Sequence, residues 1–333
     1  MNALTVQRIG PSVTVQDGGW SGTLASGLSY GGAADRRAME EAWALLGQRD
    51  TALLEMAGVG GRFIANVAVR ISLTGAKMQA SLDGVPLLWN AVHRVEAGQV
   101  LDVGAAQSGV YGYLGVGGGF DTPKFLGSAS THRASGLGHV IQVGDDLAIG
   151  HDNKADRVAL ALPNTSERTA PIRIVPTAHT ALFGESVLQR FQSAEFTRSA
   201  QGNRQGIALE CEESFALEGG QSIPSETVIA GDIQVPGQGA PFALLADCQT
   251  TGGYPRIAAI LPCELPRVAQ AAPGSKLRFN LITRLEGIAA EQAERKARAA
   301  LGRVCQPILR DPSQMNDLLS FQLISGAITG DIE

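Results

Sequence analysis

The sequence has few of the features that mark secreted, membrane-bound or nucleic-acid-binding proteins. Its four cysteines are scattered over 333 residues without a CxxC pair, so neither a disulfide framework nor a zinc site is predicted and the thiols are expected to be free. No apolar run is long enough to span a bilayer, and the first residues do not resemble a signal peptide. The net charge of -5 without a basic cluster argues against a nucleic-acid partner. These absences predict a soluble, cytoplasmic protein that binds neither membrane nor nucleic acid.

Familiar catalytic and metal-binding motifs are also missing. The five histidines lack metal-ligand spacing, and each is expected at the surface or at the edge of a barrel. The glycine run at residues 115–119 is not followed by Gly-Lys-Ser/Thr, which excludes a P-loop. No base can be identified for Cys248, so a nucleophilic cysteine is not predicted.

Glycine is abundant, with 41 residues, and it separates short runs of alternating apolar and polar residues. This pattern is typical of an antiparallel barrel or sandwich, and the length suits two domains. In the first half, strands are expected at residues 4–9, 13–17, 62–64, 67–73, 79–82, 93–95, 100–103, 110–116 and 140–143.

Helices are expected to be few and peripheral. Asp35 can cap the N-terminus of a helix that ends at Gly47. Further helices are predicted at residues 180–191, 264–270, 285–300 and 312–324. The fold class is therefore mainly β with peripheral helices.

An internal repeat predicts that the two halves arose by duplication. Residues 95–100 (Val-Glu-Ala-Gly-Gln-Val) match residues 228–233 (Val-Ile-Ala-Gly-Asp-Ile), and both lead into an aromatic strand and then a glycine pair, Gly118-Gly119 or Gly252-Gly253. The predicted domains are residues 1–160, residues 170–285 and a helical tail at 286–333.

The second glycine pair follows a polar stretch that its counterpart lacks. A strand that enters a double glycine can bring its backbone close to a ligand, and this one offers consecutive donors and acceptors. The alternative is a hydrogen-bonded turn that closes a barrel, with threonine hydroxyls capping the backbone. The candidate residues in this stretch are Asp247, Gln249, Thr250, Thr251, Gly252, Gly253 and Tyr254.

Other polar residues are weaker candidates, and each has a structural alternative. Gln16 and Asp17 precede a glycine pair, where an aspartate can simply stabilise a turn, and for Asp35 the helix cap suffices. Glu55 interrupts an apolar run, and an outward strand position is favoured for it. Arg204 lies in a polar turn and could bind a carboxylate, although a solvated loop arginine is commoner.

Several stretches resemble one family, that of the C-type subunit of bacterial 5-oxoprolinase, also called allophanate hydrolase subunit 2 or biotin-dependent carboxyltransferase. They lie at residues 14–17, 31–35, 73–76, 126–131 and above all 246–255, where Gln-Thr-Thr-Gly-Gly-Tyr-Pro is highly specific. The resemblance covers roughly residues 3–285. It implies two tandem cyclophilin-like β-barrel domains, in agreement with the repeat.

The resemblance also implies a function and partners. Members of the family form a hetero-oligomer with a B-type subunit, and they act with it and with an A-type subunit in the ATP-dependent opening of 5-oxo-L-proline to L-glutamate. Relatives instead transfer a carboxyl group from carboxybiotin, held on a separate carrier protein, to urea or a similar amide. A non-catalytic regulator that binds a kinase-inhibitor-like partner of the B type is a third possibility.

The resemblance implies roles for the candidate residues of a lactam hydrolase. Arg204 is expected to hold the substrate carboxylate, and Asp17 and Asp247 to handle protons or position groups. The groups expected to stabilise the oxyanion are the side chains of Gln249, Thr250 and Thr251 and the backbone amides of Gly252 and Gly253. Gln16, Asp35, Glu55 and Tyr254 are expected to contribute to substrate binding. Trp20 and Cys248 replace family arginines, and if those arginines bind an anion, substrate choice is expected to differ from that of the common members.

Overall fold

A computed structural model describes residues 2–163, 169–217 and 223–308. Within these ranges strand is the predominant regular structure, arranged in barrel-shaped sheets with helices at the periphery, which confirms the predicted fold class. The helix predicted at 312–324 lies outside the described residues. In the described part of the chain, no helix is both long and apolar enough to cross a membrane.

The first half contains two sheets that enclose one apolar core. The strands are β1 (Ala3–Ile9), β2 (Val13–Gln16), β3 (Leu53–Ala57), β4 (Gly61–Ala65), β5 (Val69–Gly75), β6 (Met78–Leu82), β7 (Val85–Pro86), β8 (Ala91–Val95), β9 (Val100–Ala106), β10 (Tyr111–Val116), β11 (Asp146–Ala148) and β12 (Leu160–Ala161). One sheet has the order β11-β1-β4-β9-β6-β7 and the other includes β2-β3-β10-β5-β8-β12. The core between them contains Leu54, Phe63, Ile71 and Leu114.

Helix α1 (Arg36–Leu46) begins and ends as the sequence predicts. The Asp35 side chain accepts a hydrogen bond from the Ala38 amide at 2.9 Å, and Gly47 ends the helix in the left-handed conformation. One face of α1 lies over β5, where the Thr74 hydroxyl donates to the Ala38 carbonyl.

The second half is built around one large sheet, beside a separate ribbon of two strands. The elements are β13 (Ile172–Val175), α2 (Gly184–Ser193), β14 (Phe196–Asn203), β15 (Gly206–Glu210), β16 (Glu226–Thr227), β17 (Asp232–Gln234), β18 (Phe242–Leu244), β19 (Thr251–Gly252), β20 (Arg256–Ile260), α3 (Leu265–Gln270), β21 (Lys276–Leu277) and β22 (Phe279–Leu281). The large sheet has the order β21-β14-β15-β18-β17-β20-β13-β22. The ribbon pairs β16 with β19.

The core of the second half continues into the first. Phe191, Phe196, Phe215 and Phe279 form an aromatic cluster whose adjacent ring centroids lie 4.9 to 5.7 Å apart. The same apolar cluster includes Trp43 of α1 and other buried residues of the first half. The two halves therefore share buried apolar surface, which stabilises their contact.

The C-terminal segment returns to the first half. It consists of α4 (Arg284–Ala299), α5 (Leu301–Val304) and β23 (Gln306–Pro307). Thr283 and Glu286 form a capping box at the start of α4. β23 then pairs with β12, so residues beyond the second barrel extend a sheet of the first.

One predicted strand is wrong. Residues 140–143 are irregular, and Val140 and Val143 are exposed. Gly138 and Gly144 on either side have positive φ angles of 89° and 93°, so the backbone turns where the pattern predicted extension. The alternating valines had no apolar layer to pack against.

Glu41 on α1 makes stability depend on pH. Burial raises the pKa of Glu41 to about 7, although its carboxylate accepts a 3.0 Å hydrogen bond from Arg37. Because this folded-state pKa exceeds the ordinary value of 4.5, stability is greatest below that value and falls as pH rises through about 7. We expect the difference in free energy of unfolding between Glu41→Gln and the parent to increase, in favour of the variant, by up to about 3 kcal/mol from pH 5 to pH 8. Urea unfolding at both pH values measures this, and an unchanged difference would contradict it.

Candidate functional site

Arg204 joins the two halves through a buried ion-pair network. Its Nε and Nη2 atoms donate to both oxygens of Asp247 at 2.7 and 2.8 Å, while Nη1 donates to Glu55. Nη2 also donates to the Gly32 carbonyl at 2.6 Å. Burial alone would lower the pKa of Arg204, but Glu55 and Asp247 hold it above its usual value. Arg204 is therefore paired with two carboxylates of the protein, and the expectation of a solvated loop arginine is wrong.

Glu55 is the partner that the sequence placed wrongly. Its strand position was expected to face outward, yet the residue is only 1% exposed. The carboxylate accepts hydrogen bonds from the Tyr113 hydroxyl at 2.7 Å and from the Ala34 amide at 2.8 Å, besides that of Arg204. These donors together compensate the cost of burying the charge.

Asp35 belongs to the same network through its backbone and side chain. Its amide donates to the Tyr113 hydroxyl at 2.7 Å, and its second carboxylate oxygen accepts from the Gln270 amide at 2.9 Å. Gln270 lies on α3 of the second half. The helix cap and a contact between the halves therefore account for Asp35.

Asp17 organises a loop in the first half. One carboxylate oxygen accepts from the Ser128 hydroxyl at 2.5 Å and from the Ser130 hydroxyl at 2.7 Å, and the other accepts from the Ala129 amide at 2.8 Å. The Gly19 amide donates to the first oxygen at 2.9 Å. With this many bonds the carboxylate is anchored, so its geometry supports positioning rather than proton transfer.

Gln16 is fully buried beside Asp17. Its amide nitrogen donates to the Thr14 hydroxyl at 3.0 Å and to the Thr131 carbonyl at 2.9 Å. Its oxygen is buried without a partner. In this arrangement Gln16 fastens the strand to the serine loop and does not face the domain contact.

Residues 18–33 run from Asp17 to the second half. The Gly31 amide donates to the Ala246 carbonyl at 3.1 Å, next to Asp247. Gly19 must be glycine, because it has a positive φ and a Cβ atom would lie 2.3 Å from the Tyr30 carbonyl oxygen. Trp20 is buried here, with its indole nitrogen donating to the Phe125 carbonyl at 2.8 Å.

The Gln-Thr-Thr-Gly-Gly-Tyr stretch begins beside this network. After Asp247, the chain passes through Gln249 and pairs as β19 with β16. The Gln249 amide donates to the Gln234 side-chain oxygen at 3.1 Å, and Gln249 and Thr251 are exposed. Tyr254 is half-exposed at 50%. The stretch is therefore a tethered surface loop with several free polar groups.

Gly252 allows a close approach within this loop. A Cβ atom at Gly252 would lie 2.6 Å from the amide nitrogen of the buried Gln234. Gly253 is less crowded, and its carbonyl accepts from the Ile223 amide at 3.2 Å. Packing thus requires the first glycine, whereas the second contributes a backbone hydrogen bond that ties the loop to Ile223.

A charged cluster behind the loop was missed by the sequence analysis. Arg256 donates to Glu226 at 2.7 Å and approaches Asp232 at 3.5 Å, and its Nε lies 3.3 Å from the Nδ1 of His179. His179 also lies 3.2 Å from Glu226. The one sequence signal for this cluster is the position of Arg256 directly after Tyr-Pro, since the partners of Arg256 are distant in sequence.

The expectation that every histidine is at a surface or barrel edge is wrong for two of them. His179 is 7% exposed and His132 is 6% exposed. His132 lies between two serines, with Nε2 at 3.1 Å from the Ser29 hydroxyl and Nδ1 at 2.9 Å from the Ser135 hydroxyl. Because the Ser135 amide also donates to Nδ1, the ring serves as a loop anchor.

Cys248 is shielded from reaction. Burial raises the pKa of Cys248 to about 12, and the nearby Asp232 and Asp247 carboxylates act in the same direction. At neutral pH the group is a thiol, which is a poor nucleophile. All four cysteines are free, as expected.

The structure thus brings some of the predicted site residues together and places the others elsewhere. Asp247, Glu55, Arg204 and Asp35 meet at the contact between the halves, and the polar loop begins directly beside them. Asp17 lies at the other end of residues 18–33, and Gln16 lies beyond it. The exposed donors of the loop, supported by a rigid ionic network, are the feature best suited to bind a small polar molecule.

Comparison with known proteins identifies the family of this chain. Residues 26–281 match the family model "Carboxyltransferase domain, subdomain A and B". The chain is 31% identical to the C-type subunit of 5-oxoprolinase from Escherichia coli over 298 residues, covering 88% of this chain and 96% of that protein.

Two solved structures have the same fold. The TTHA0988 structure matches 84% of this chain with a TM-score of 0.77 and 29% identity, and the chain spans about half of its length (55%). The Kluyveromyces lactis urea amidolyase matches 93% of this chain with a TM-score of 0.81 and 21% identity, over 21% of its own length. Since the family model covers most of the chain, this protein belongs to the carboxyltransferase-domain family, subdomains A and B.

Proposed function

We propose that this chain is the C-type component of an ATP-dependent 5-oxoprolinase, which hydrolyses 5-oxo-L-proline to L-glutamate together with its A-type and B-type partners. The similarity to the Escherichia coli protein over nearly its whole length carries the proposal. The exposed polar loop that starts at the contact between the halves supports it, because it offers a place for a small lactam.

Lactam opening requires hydrogen-bond donors that are held in position around the reacting carbonyl group. A lactam amide is stabilised by resonance, and opening it places negative charge on the carbonyl oxygen. Donors held in advance toward that oxygen lower the barrier. The amide of Gln249 and the hydroxyls of Thr250 and Thr251 are the groups we assign to this task. Gln234 fixes Gln249, while neither threonine hydroxyl has a protein partner among the described contacts.

ATP and the other subunits belong to the same proposal. Arg204, beside the start of the loop, has its donors engaged by Glu55, Asp247 and Gly32, so it does not offer them to a triphosphate. We therefore assign the nucleotide to the partner proteins. In this chain Asp17 and Asp247 position the two loops, and Tyr254 is the exposed aromatic residue at the far end of the site.

Co-expression with the A-type and B-type partners tests the proposal. We expect the purified complex to hydrolyse ATP only when 5-oxo-L-proline is present, and to release L-glutamate. The same complex without this chain should be inactive, which serves as the control. An intact complex that leaves 5-oxo-L-proline unchanged but carboxylates urea or a similar amide would refute it.

The family description favours one alternative, a carboxyltransferase that receives a carboxyl group from carboxybiotin on a separate carrier protein. Under that alternative, the complex should retain a biotinylated partner on avidin. The same exposed loop would bind the amide acceptor, so the partner, and not the fold, distinguishes the two reactions.

A further inference from the structure

The two-stranded ribbon that includes part of the polar loop is held from behind by Arg256. This arginine is the first residue of β20 in the large sheet, and its side chain is 13% exposed. Its Nη1 donates to the Thr227 carbonyl at 3.0 Å and its Nη2 to the Glu226 carboxylate at 2.7 Å. Glu226 and Thr227 are the two residues of β16. One guanidinium therefore binds both the backbone and a side chain of this strand.

The position of β16 determines where the donors of the loop lie. Thr227 pairs with Thr251 of β19, and the amide of Val228 donates to the Thr250 carbonyl at 3.0 Å. A ribbon of two strands is marginally stable by itself, and β16 and β19 are not part of the large sheet. The ribbon therefore depends on contacts with the barrel, and those of Arg256 reach it from β20.

His179 holds Arg256 in place. Its Nδ1 lies 3.4 Å from the backbone nitrogen of Arg256 and 3.3 Å from Nε, and both of these groups are N–H donors. Nδ1 is therefore the acceptor, which leaves the ring proton on Nε2, 3.2 Å from the Glu226 carboxylate. Because His179 is only 7% exposed, its ring joins the arginine to this carboxylate in a single orientation.

Asp232 completes the cluster on the barrel side. Its carboxylate lies 3.5 Å from Nη1 of Arg256 and accepts from the Ile229 amide at 3.0 Å. Arg256 thus has two carboxylate neighbours for one charge, so its donors serve the protein and not an anionic ligand. Among the described contacts, none joins Arg256 or His179 to a side chain of the polar loop. Their effect on the loop is therefore transmitted by β16.

We propose that Arg256 and His179 are positioning residues of the polar loop: they fix β16, and β16 fixes the backbone of Thr250 and Thr251. The proposal rests on the proposed function, in which these threonines stabilise the oxyanion of the lactam. Such donors are effective only when they are held at the right distance, and a displacement of about 1 Å can cost about 100-fold in rate. Loss of the tether should therefore lower kcat and leave KM nearly unchanged.

Arg256→Lys tests the proposal in the assembled complex, because lysine keeps the charge but lacks the planar set of donors. We expect kcat for 5-oxo-L-proline to fall about 10- to 100-fold. Arg278→Lys is the matched control, since this exposed arginine of the same half is paired with Glu195 at 3.0 Å, and its replacement should leave kcat unchanged. Parental kcat in a folded Arg256→Lys complex, or a higher KM at parental kcat, would overturn the proposal.

The pH dependence of kcat separates positioning by His179 from structural support. Among the described residues, the charged groups around its ring are Glu226 on β16, Arg256 on β20 and Asp232 on β17. Protonation of Nδ1 would turn a donor toward the donors of Arg256, so we expect kcat of the parent to fall from about pH 8 to about pH 5. His179→Asn, whose amide oxygen can accept in place of Nδ1 but does not become protonated, should show a smaller fall. Lower stability of His179→Asn with the parental pH profile would mean that the ring only supports the fold, and would overturn its role.

Hydrogen exchange of the full chain gives a readout that needs no substrate. Loss of the tether should speed exchange at residues 226–228 and 250–252 about 10-fold in Arg256→Lys, and not in Arg278→Lys. Faster exchange together with a parent complex that leaves 5-oxo-L-proline unchanged would retain the tether and refute the proposed function. Unchanged exchange and kcat in a complex that turns over 5-oxo-L-proline would refute the positioning role while the function stands.

Discussion

Replacing Arg204 with methionine is expected to lower the free energy of unfolding by about 3–5 kcal/mol, the largest effect on stability that we anticipate. The substitution leaves Glu55 and Asp247 buried without the cation that compensates them. It also removes the hydrogen bond to the Gly32 carbonyl, which links the two halves. Urea unfolding followed by tryptophan fluorescence measures the change.

The exposed pair of Arg8 and Asp102 provides the matched control. These groups lie 2.6 Å apart, but their side chains are 49% and 37% exposed. Arg8→Met should therefore cost less than about 1 kcal/mol. If Arg204→Met costs no more than this control, the network contributes no net stability and solvent compensates the carboxylates.

Replacing Gln249 with alanine is expected to reduce kcat of the assembled complex about 100- to 1000-fold, the loss typical of removing one oxyanion donor. Gln249 is exposed, and its one described side-chain bond is to Gln234, so the fold should tolerate the change. Steady-state kinetics with 5-oxo-L-proline give the rate, and thermal unfolding should show no decrease in stability.

Gln189→Ala on α2 is a suitable control, because this exposed glutamine makes only a weak 3.4 Å contact with Glu185. It should leave both rate and stability unchanged. An intact complex of Gln249→Ala with parental kcat would remove Gln249 from the chemistry. A reduced rate together with reduced stability would assign it a structural role instead.

Local patterns in the sequence predict local structure well. The Asp35 cap, the Gly47 stop and the helix of residues 284–299 depend on neighbours within a few positions, and each is found where expected. The mainly β fold follows from short alternating runs between glycines. The domain limits and the roles of the individual site residues stay predictions, since they depend on ligands and partners.

The errors concern residues whose environment is set by distant segments. Glu55 was predicted to face outward because its strand neighbours offer no partner for a carboxylate, whereas its partner Arg204 is 149 positions away. His179 likewise depends on Glu226 and Arg256. A single sequence reveals periodicity along one element but not which element lies opposite. Buried charge networks between the halves therefore cannot be predicted from it.

The chain's return to its first half has a consequence for how the molecule comes apart. α4 contacts α1 through Arg37 with Glu294 at 2.7 Å and through Arg298 with Glu40 at 2.8 Å, before β23 joins β12. The chain forms the first barrel, then the second, and its C-terminal segment then packs against the first barrel. The second barrel is therefore enclosed in a loop that is closed by noncovalent contacts. Partial unfolding of either barrel therefore disrupts the contacts that hold the C-terminal segment on the first barrel. We expect the two barrels to unfold together under heat or force, and not one after the other.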